Sequence, residues 1–275
     1  MRTYKALSNS LGGIEMDLIL FLGILLGIIS ITVGMVLKGA SIAVLINPEA
    51  MLVIFVGIIA AVINSYPVKE LKRVPKILRV LVRKESYDYE EAIQKIVEMS
   101  NIARRDGLLA LEEHVKDLEN PFLQEGLEMV IDGIDAEQIR EIMENEIDGI
   151  DQRHRSAAGI FKTAGTTSPT LGVLGAVIGL IGALGNLNNI TALGTSISSA
   201  FVATLFGIFF GYVLLIPFSS RLLSKSEQEI QLFNLVLEGV LSIQAGNPSN
   251  TIEKKLYSLI DLKPANKEAD NHGEE

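Results

Sequence analysis

Cysteine is absent from the 275 residues, which excludes a disulfide framework and any thiolate metal site. Histidine is scarce. His114, His154 and His272 are scattered without ligand spacing, so they read as surface titrating groups and no metal is expected. No Walker A loop, GxSxG elbow or HExxH helix occurs, and no carboxylate pair stands in a recognisable acid–base setting. No enzymatic role and no cofactor are therefore expected. The most informative absence is that of charge. Residues 170–187 and 191–217 contain no Asp, Glu, Lys, Arg or His, and apolar blocks also cover 18–37 and 50–66. About 20 apolar residues at 1.5 Å rise make a helix of roughly 30 Å, the thickness of a bilayer's hydrocarbon core. The sequence thus predicts an all-α, polytopic membrane protein with four transmembrane helices in two hairpins.

Charge that is missing from the spans is concentrated elsewhere. The net charge is −9, yet residues 85–151 hold 20 acidic residues against 5 basic ones. Such a stretch repels phosphates, so nucleic acid is not an expected partner. Basic residues gather beside the spans: Lys69, Lys72, Arg73, Lys76, Arg79, Arg83 and Lys84 after the second, Arg153, Arg155 and Lys162 before the third, Arg221 and Lys225 after the fourth. Within the hairpin loops, Lys38 is the only base in the first and residues 185–194 have none. The positive-inside rule then places both termini and the large insert in the cytoplasm, with the spans lying in membrane lipid. The leader before Met16 lacks the apolar run of a signal peptide, and Met16-Asp17 offers a second candidate start.

The resulting division is 1–16 cytoplasmic leader, 17–66 first hairpin, 67–166 cytoplasmic helical domain, 167–217 second hairpin, and 218–275 C-terminal helix and disordered tail. Within the insert, apolar residues recur at helical intervals over 89–105 and 136–150. Pro121 is placed to open one helix and Asp135 to cap the next. A further amphipathic helix is expected over 226–244, and disorder from Pro264 onward.

The second hairpin carries a stripe of small residues, Gly172, Gly175, Gly179 and Gly182, spaced to share one helix face. It suits either packing within the hairpin or the approach of a helix from another chain. Among the polar side chains in these spans are Thr170, Thr204 and Tyr212. A hydroxyl can orient water or an ion but cannot carry a proton reversibly at neutral pH. A transmembrane ion step usually needs a buried carboxylate, so a partner must bring the acid.

Four stretches in order carry a resemblance over about 16–260. They are Arg104-Arg105-Asp106-Gly107-Leu108-Leu109-Ala110-Leu111-Glu112, Ser168-Pro169-Thr170-Leu171-Gly172, Ala203-Thr204 and Leu215-Ile216-Pro217-Phe218. Together with the four-span layout they resemble the MotA/TolQ/ExbB proton channel family, and within it the flagellar motor stator subunits of the MotA kind. The resemblance implies five copies around a dimer of a single-span, MotB-like partner that supplies the ion-binding Asp. It implies rotor contact by Arg104 and Glu112, facing the switch protein FliG. Their separation of eight residues would put both on one helix face if Gly107 does not break it. It assigns Pro169 and Pro217 to coupling of ion passage with movement, Pro169 reading otherwise as a helix-start signal. It lines the ion path with Thr204, Ala176, Thr170 and Tyr212. Sodium-using relatives tend to carry Thr where this chain has Ala176, so proton use is expected. The alternatives are an ExbB- or TolQ-like energiser of outer-membrane import, whose three spans and outside N-terminus differ from the pattern here, and a membrane scaffold without ion flow.

Overall fold

A computed structural model describes residues 17–84, 87–185 and 187–260. The leader 1–16 and the tail 261–275, where a cytoplasmic segment and disorder were expected, lie outside the described residues. The described residues are helical throughout, without a strand. Among the described residues, four helices are long and apolar enough to cross a membrane.

The described residues divide into two compact units, those of 17–84 with 153–224 and those of 87–152 with 225–260. The first holds the spans. Helix α1, Leu18–Leu37, begins where the Asp17 side chain accepts from the Leu20 amide. A 3-10 turn, Ile42–Leu45, leads to α2, Pro48–Ser65. Asn47 caps α2 through the Ala50 amide at 3.0 Å, and its amide donates to the Ser199 hydroxyl at 2.7 Å. Two short helices follow, α3 (Val68–Leu71) and α4 (Val74–Val82).

The second unit begins with α5, Tyr89–Asp106, a 3-10 turn over Leu108–Ala110, α6 (Leu111–Val115) and α7 (Pro121–Ile131). Its core packs Ile93, Ile96, Leu111, Leu127, Ile139 and Met143 against Leu235, Val240, Ile252 and Leu256, all nearly or fully buried. The expected breaks are in place. Pro121 opens α7 at its first position, where a missing amide hydrogen costs nothing. Asp135 accepts from the Glu137 and Gln138 amides at 3.0 and 3.1 Å. Asp135→Ala is expected to cost about 1 kcal/mol, the usual worth of a helix N-cap. Chemical denaturation of the complex would read this as a shifted midpoint, and no shift would make the cap idle.

Two long helices differ from the sequence expectations. Helix α8 runs from Ala136 to Leu184 without interruption, 49 residues. The expected boundary at 166/167 falls inside it, and Pro169 is an internal residue and not a helix start. Helix α9, Ile190–Ile208, passes into a π-helical stretch, Phe209–Leu215, and then into α10, Ile216–Gln244. The helix expected at 226–244 is thus the continuation of the fourth span, and the boundary at 217/218 also lies inside helix. A last helix, α11 (Ser249–Leu259), buries Ile252, Leu256 and Tyr257 in the second unit's core.

Candidate functional site

The third and fourth spans meet along the glycine stripe. A Cβ built on Gly172 would stand 2.9 Å from the Ala203 carbonyl oxygen and 3.2 Å from the Thr204 Cα. Built on Gly175 and Gly179 it would meet the Ala203 and Ala200 methyls, each at 2.9 Å. From the other side, a Cβ built on Gly207 would come 2.7 Å from the Ser168 carbonyl oxygen and 2.8 Å from the Gly172 Cα. Ser168 is fully buried, and its hydroxyl donates to the Gly207 carbonyl at 2.9 Å. The stripe is therefore consumed within the hairpin, and the reading in which it accepts a helix from another chain does not hold for Gly172, Gly175 and Gly179. Small residues let the backbones touch, which in an apolar solvent is where helix association gains its dispersion energy.

The candidate ion-path residues lie at the edge of that contact or outside it. Thr204 is half-buried at its edge, level with Gly172, and its hydroxyl donates to the Ala200 carbonyl at 3.3 Å. Ala176 is half-buried one turn further along, about 6 Å of helix rise from Gly172. Thr170 and Tyr212 are exposed. On the fourth span Phe201, Ile208 and Tyr212 form an open, mostly apolar stripe. On the third, Val173, Val177 and Ile181 continue from Thr170. These four polar or small positions thus border faces that the single chain leaves uncovered.

The two prolines bracket an irregular turn that sequence reasoning did not reveal. Pro169 has no amide hydrogen for the Gly165 carbonyl. A Cβ on Gly211 would come within 2.6 Å of that carbonyl and 2.9 Å of the Pro169 ring, so only glycine admits the pair. Gly211 lies in the π stretch, and its own carbonyl accepts from Ile216, five residues on. Pro217, exposed, follows directly. The signal for a π turn was no more than Gly211 four residues ahead of Leu215-Ile216-Pro217, a pattern that ordinary helices also contain.

Arg104 and Glu112 are both exposed but do not share a helix face. Gly107 ends α5 with φ +91°, a left-handed conformation that L side chains avoid, and the chain restarts through the 3-10 turn. Arg104 therefore sits in the last turn of α5 and Glu112 in the first turn of α6, each favourable to its helix dipole. Glu112 pairs with Lys116 at 3.6 Å in a solvated contact. Arg104 has no ion pair among the described residues. The neighbouring Arg105 guanidinium, 2.8 Å away, holds the Asp106 carboxyl below the usual carboxylate range, chiefly by hydrogen bonding. A lowered carboxylate stays charged as pH falls until its own pKa is passed, so Asp106 holds its charge to lower pH than an unpaired carboxylate would. Between the charges Leu109 stands 75% exposed, the tip of an apolar turn over 107–111. Its signal was the Leu-Leu pair directly after Gly107. Among the described residues no group of His, Asp and Glu could hold a metal ion.

These features define a class: a four-span, all-helical membrane subunit whose second hairpin has no Asp, Glu, Lys, Arg or His in its spans and whose large polar domain presents a charged corner. The MotA/TolQ/ExbB proton channel family matches residues 114–234, and the motility protein A N-terminal family matches 21–107. Motility protein A of Bacillus subtilis (strain 168) is 48% identical over 249 residues, covering 90% of this chain and 92% of that protein. The structure of the flagellar MotAB stator complex from Bacillus subtilis superposes with a TM-score of 0.82 at 49% identity, over 88% of this chain and 95% of that one. The structure of C. jejuni MotAB gives a TM-score of 0.85 at 33% identity, over 90% and 98%. The chain belongs to the MotA/TolQ/ExbB proton channel family, on its motility protein A branch.

Proposed function

We propose that this chain is the channel wall and lever of a flagellar stator, five copies surrounding a MotB-like dimer in the cytoplasmic membrane with both termini and the polar domain in the cytoplasm. The observation that carries this reading is the charge-free inner hairpin. Its glycine face is used up internally, while Thr204, Ala176, Thr170 and Tyr212 border faces that the single chain leaves uncovered. A partner helix bringing an Asp fits there, because the wall offers hydroxyls and apolar surface but no competing charge. Loading that Asp with a proton neutralises a buried charge and changes which contacts are favourable, so the wall steps relative to the dimer. One charge crossing 100 mV supplies about 2.3 kcal/mol, enough to bias such a step. Pro169 and the Gly211 π turn supply the deformable point of each span, with Pro217 at its end. Arg104 and Glu112, with Leu109 between them, meet the rotor's switch protein, FliG.

Proton use follows from Ala176, which gives one oxygen fewer than a Thr would to a partly dehydrated Na⁺. Swimming speed at fixed pH should not change when Na⁺ is replaced by K⁺, and a strict Na⁺ requirement would sink the proton reading. Thr204→Val should lower stator proton flux about 3- to 10-fold, the worth of one hydrogen bond on the ion path. Unchanged flux in vesicles holding the assembled complex would move the path away from Thr204.

A further inference from the structure

We propose that α3 and α4 form an anionic-phospholipid site on the membrane face where the polar domain emerges. The segment is held at both ends by the spans. It leaves α2 at Tyr66, whose hydroxyl hydrogen-bonds Thr163 at 3.0 Å. It returns at Val82, whose carbonyl accepts from the Asp17 amide at 2.9 Å, and Asp17 caps α1. Asp17 is paired in turn with Arg221. Both ends therefore lie at the same membrane surface, and the residues between must run along that surface.

The side chains are sorted accordingly. Ile77 and Leu81 are buried with Leu20, Ala158, Phe161 and Leu222. Glu70, the one acid of the segment, is engaged internally by Arg73 at 3.2 Å and the Ser156 hydroxyl at 3.3 Å. Lys72 and Arg73 keep right-handed helical dihedrals between the two helices, so the helical twist carries through. At about 100° per residue, Lys72, Lys76 and Arg79 fall within about 60° of one another. These three and Lys69 are exposed and form no ion pair among the described residues. Leu78, 42% exposed, lies between the buried face and the cation stripe. An apolar flank under a row of unpaired cations suits a helix lying in the interface, with acyl chains below and phosphates alongside. Topology signalling alone needs the charges but not their alignment, their lack of partners or the exposed Leu78. The stripe lies on a segment whose two ends are fixed at the ends of the spans, by Tyr66 and by Asp17, so the occupant is a phospholipid and not a soluble anion.

The test uses the complete complex with its single-span partner in phosphatidylcholine vesicles containing spin-labelled phosphatidylglycerol or spin-labelled phosphatidylcholine. The expected result is a larger immobilised fraction for phosphatidylglycerol, reduced at high salt in the unaltered complex. Lys72→Gln/Lys76→Gln/Arg79→Gln should remove that preference, at about five-fold per cation or on the order of 100-fold together. Lys95→Gln, a control on the other unit, should leave it intact. Equal immobilisation of the two lipids by the unaltered complex would overturn the proposal, as would a preference that survives the triple change. Displacement by inorganic phosphate at unchanged ionic strength would make the site one for a soluble anion, which also overturns it. The salt arm needs no variant, so misfolding of the triple variant does not rescue the idea.

Discussion

Gly207→Ala is expected to cost about 3 kcal/mol, the upper part of the usual range for one added carbon in a close-packed interior. The new methyl would face the Ser168 carbonyl oxygen at 2.7 Å and the Gly172 Cα at 2.8 Å. Both are backbone, so neither can rotate away as a side chain could. Relief has to come from separating the two spans, which also weakens the Ser168–Gly207 hydrogen bond. The comparison that isolates this effect is Gly182→Ala. There the nearest atom is the Ser196 hydroxyl oxygen at 3.9 Å, and the substitution should be neutral or stabilise by up to about 1 kcal/mol through helix propensity. Thermal unfolding of the purified complex, with swimming of the same strains, reads both. If the Gly207 variant melts with the unaltered complex, the spans do not approach at that point.

The contrast between these glycines explains what sequence could and could not tell. Spans are legible because charge exclusion over 18 or more residues is a one-dimensional signal, and the Asp135 cap and Pro121 start are equally local. A three-four spacing places Gly172, Gly175, Gly179 and Gly182 on one face, but it does not say which helix meets that face. Only Gly207, Ala203 and Ala200, more than 15 residues away, answer that. Pro169 was open to misreading for a related reason. A proline usually marks a helix end because of its lost hydrogen bond and its ring. In this chain Gly211 leaves room beside the ring and α8 runs on, a tertiary compensation with no local trace. Residues 209–215 likewise have no composition that distinguishes π from α geometry. At the charged corner, the residue types of Arg104 and Glu112 drew attention, yet the spacing argument failed at Gly107, whose positive φ turns the chain between them.

That corner yields the second large effect. Reversing both charges, Arg104→Glu with Glu112→Arg, should reduce swimming to near zero while shifting the unfolding midpoint of the complex very little. Stability is spared because both groups are solvent-exposed. Among the described residues Glu112 contributes only a surface pair with Lys116, of the kind worth about 0–1 kcal/mol, and Arg104 has no ion pair to lose. Reversal also opposes both helix dipoles, which adds about 0.3–1 kcal/mol at each end. A protein held together by the buried second-unit core tolerates that sum. Rotor engagement does not, because like charges set against a partner's rim cost several kcal/mol and spoil register. Either charge alone should slow the motor, and a rotor with reciprocal reversals should restore rotation to the double variant. Normal swimming by the double variant would reduce Arg104 and Glu112 to solubilising charges. Lost swimming with an equally large loss of stability would point to folding and not to the rotor. Leu109→Ala separates the remaining possibility. Its side chain is mostly in water, so its removal should be silent for stability, and any motility loss would belong to the contact itself.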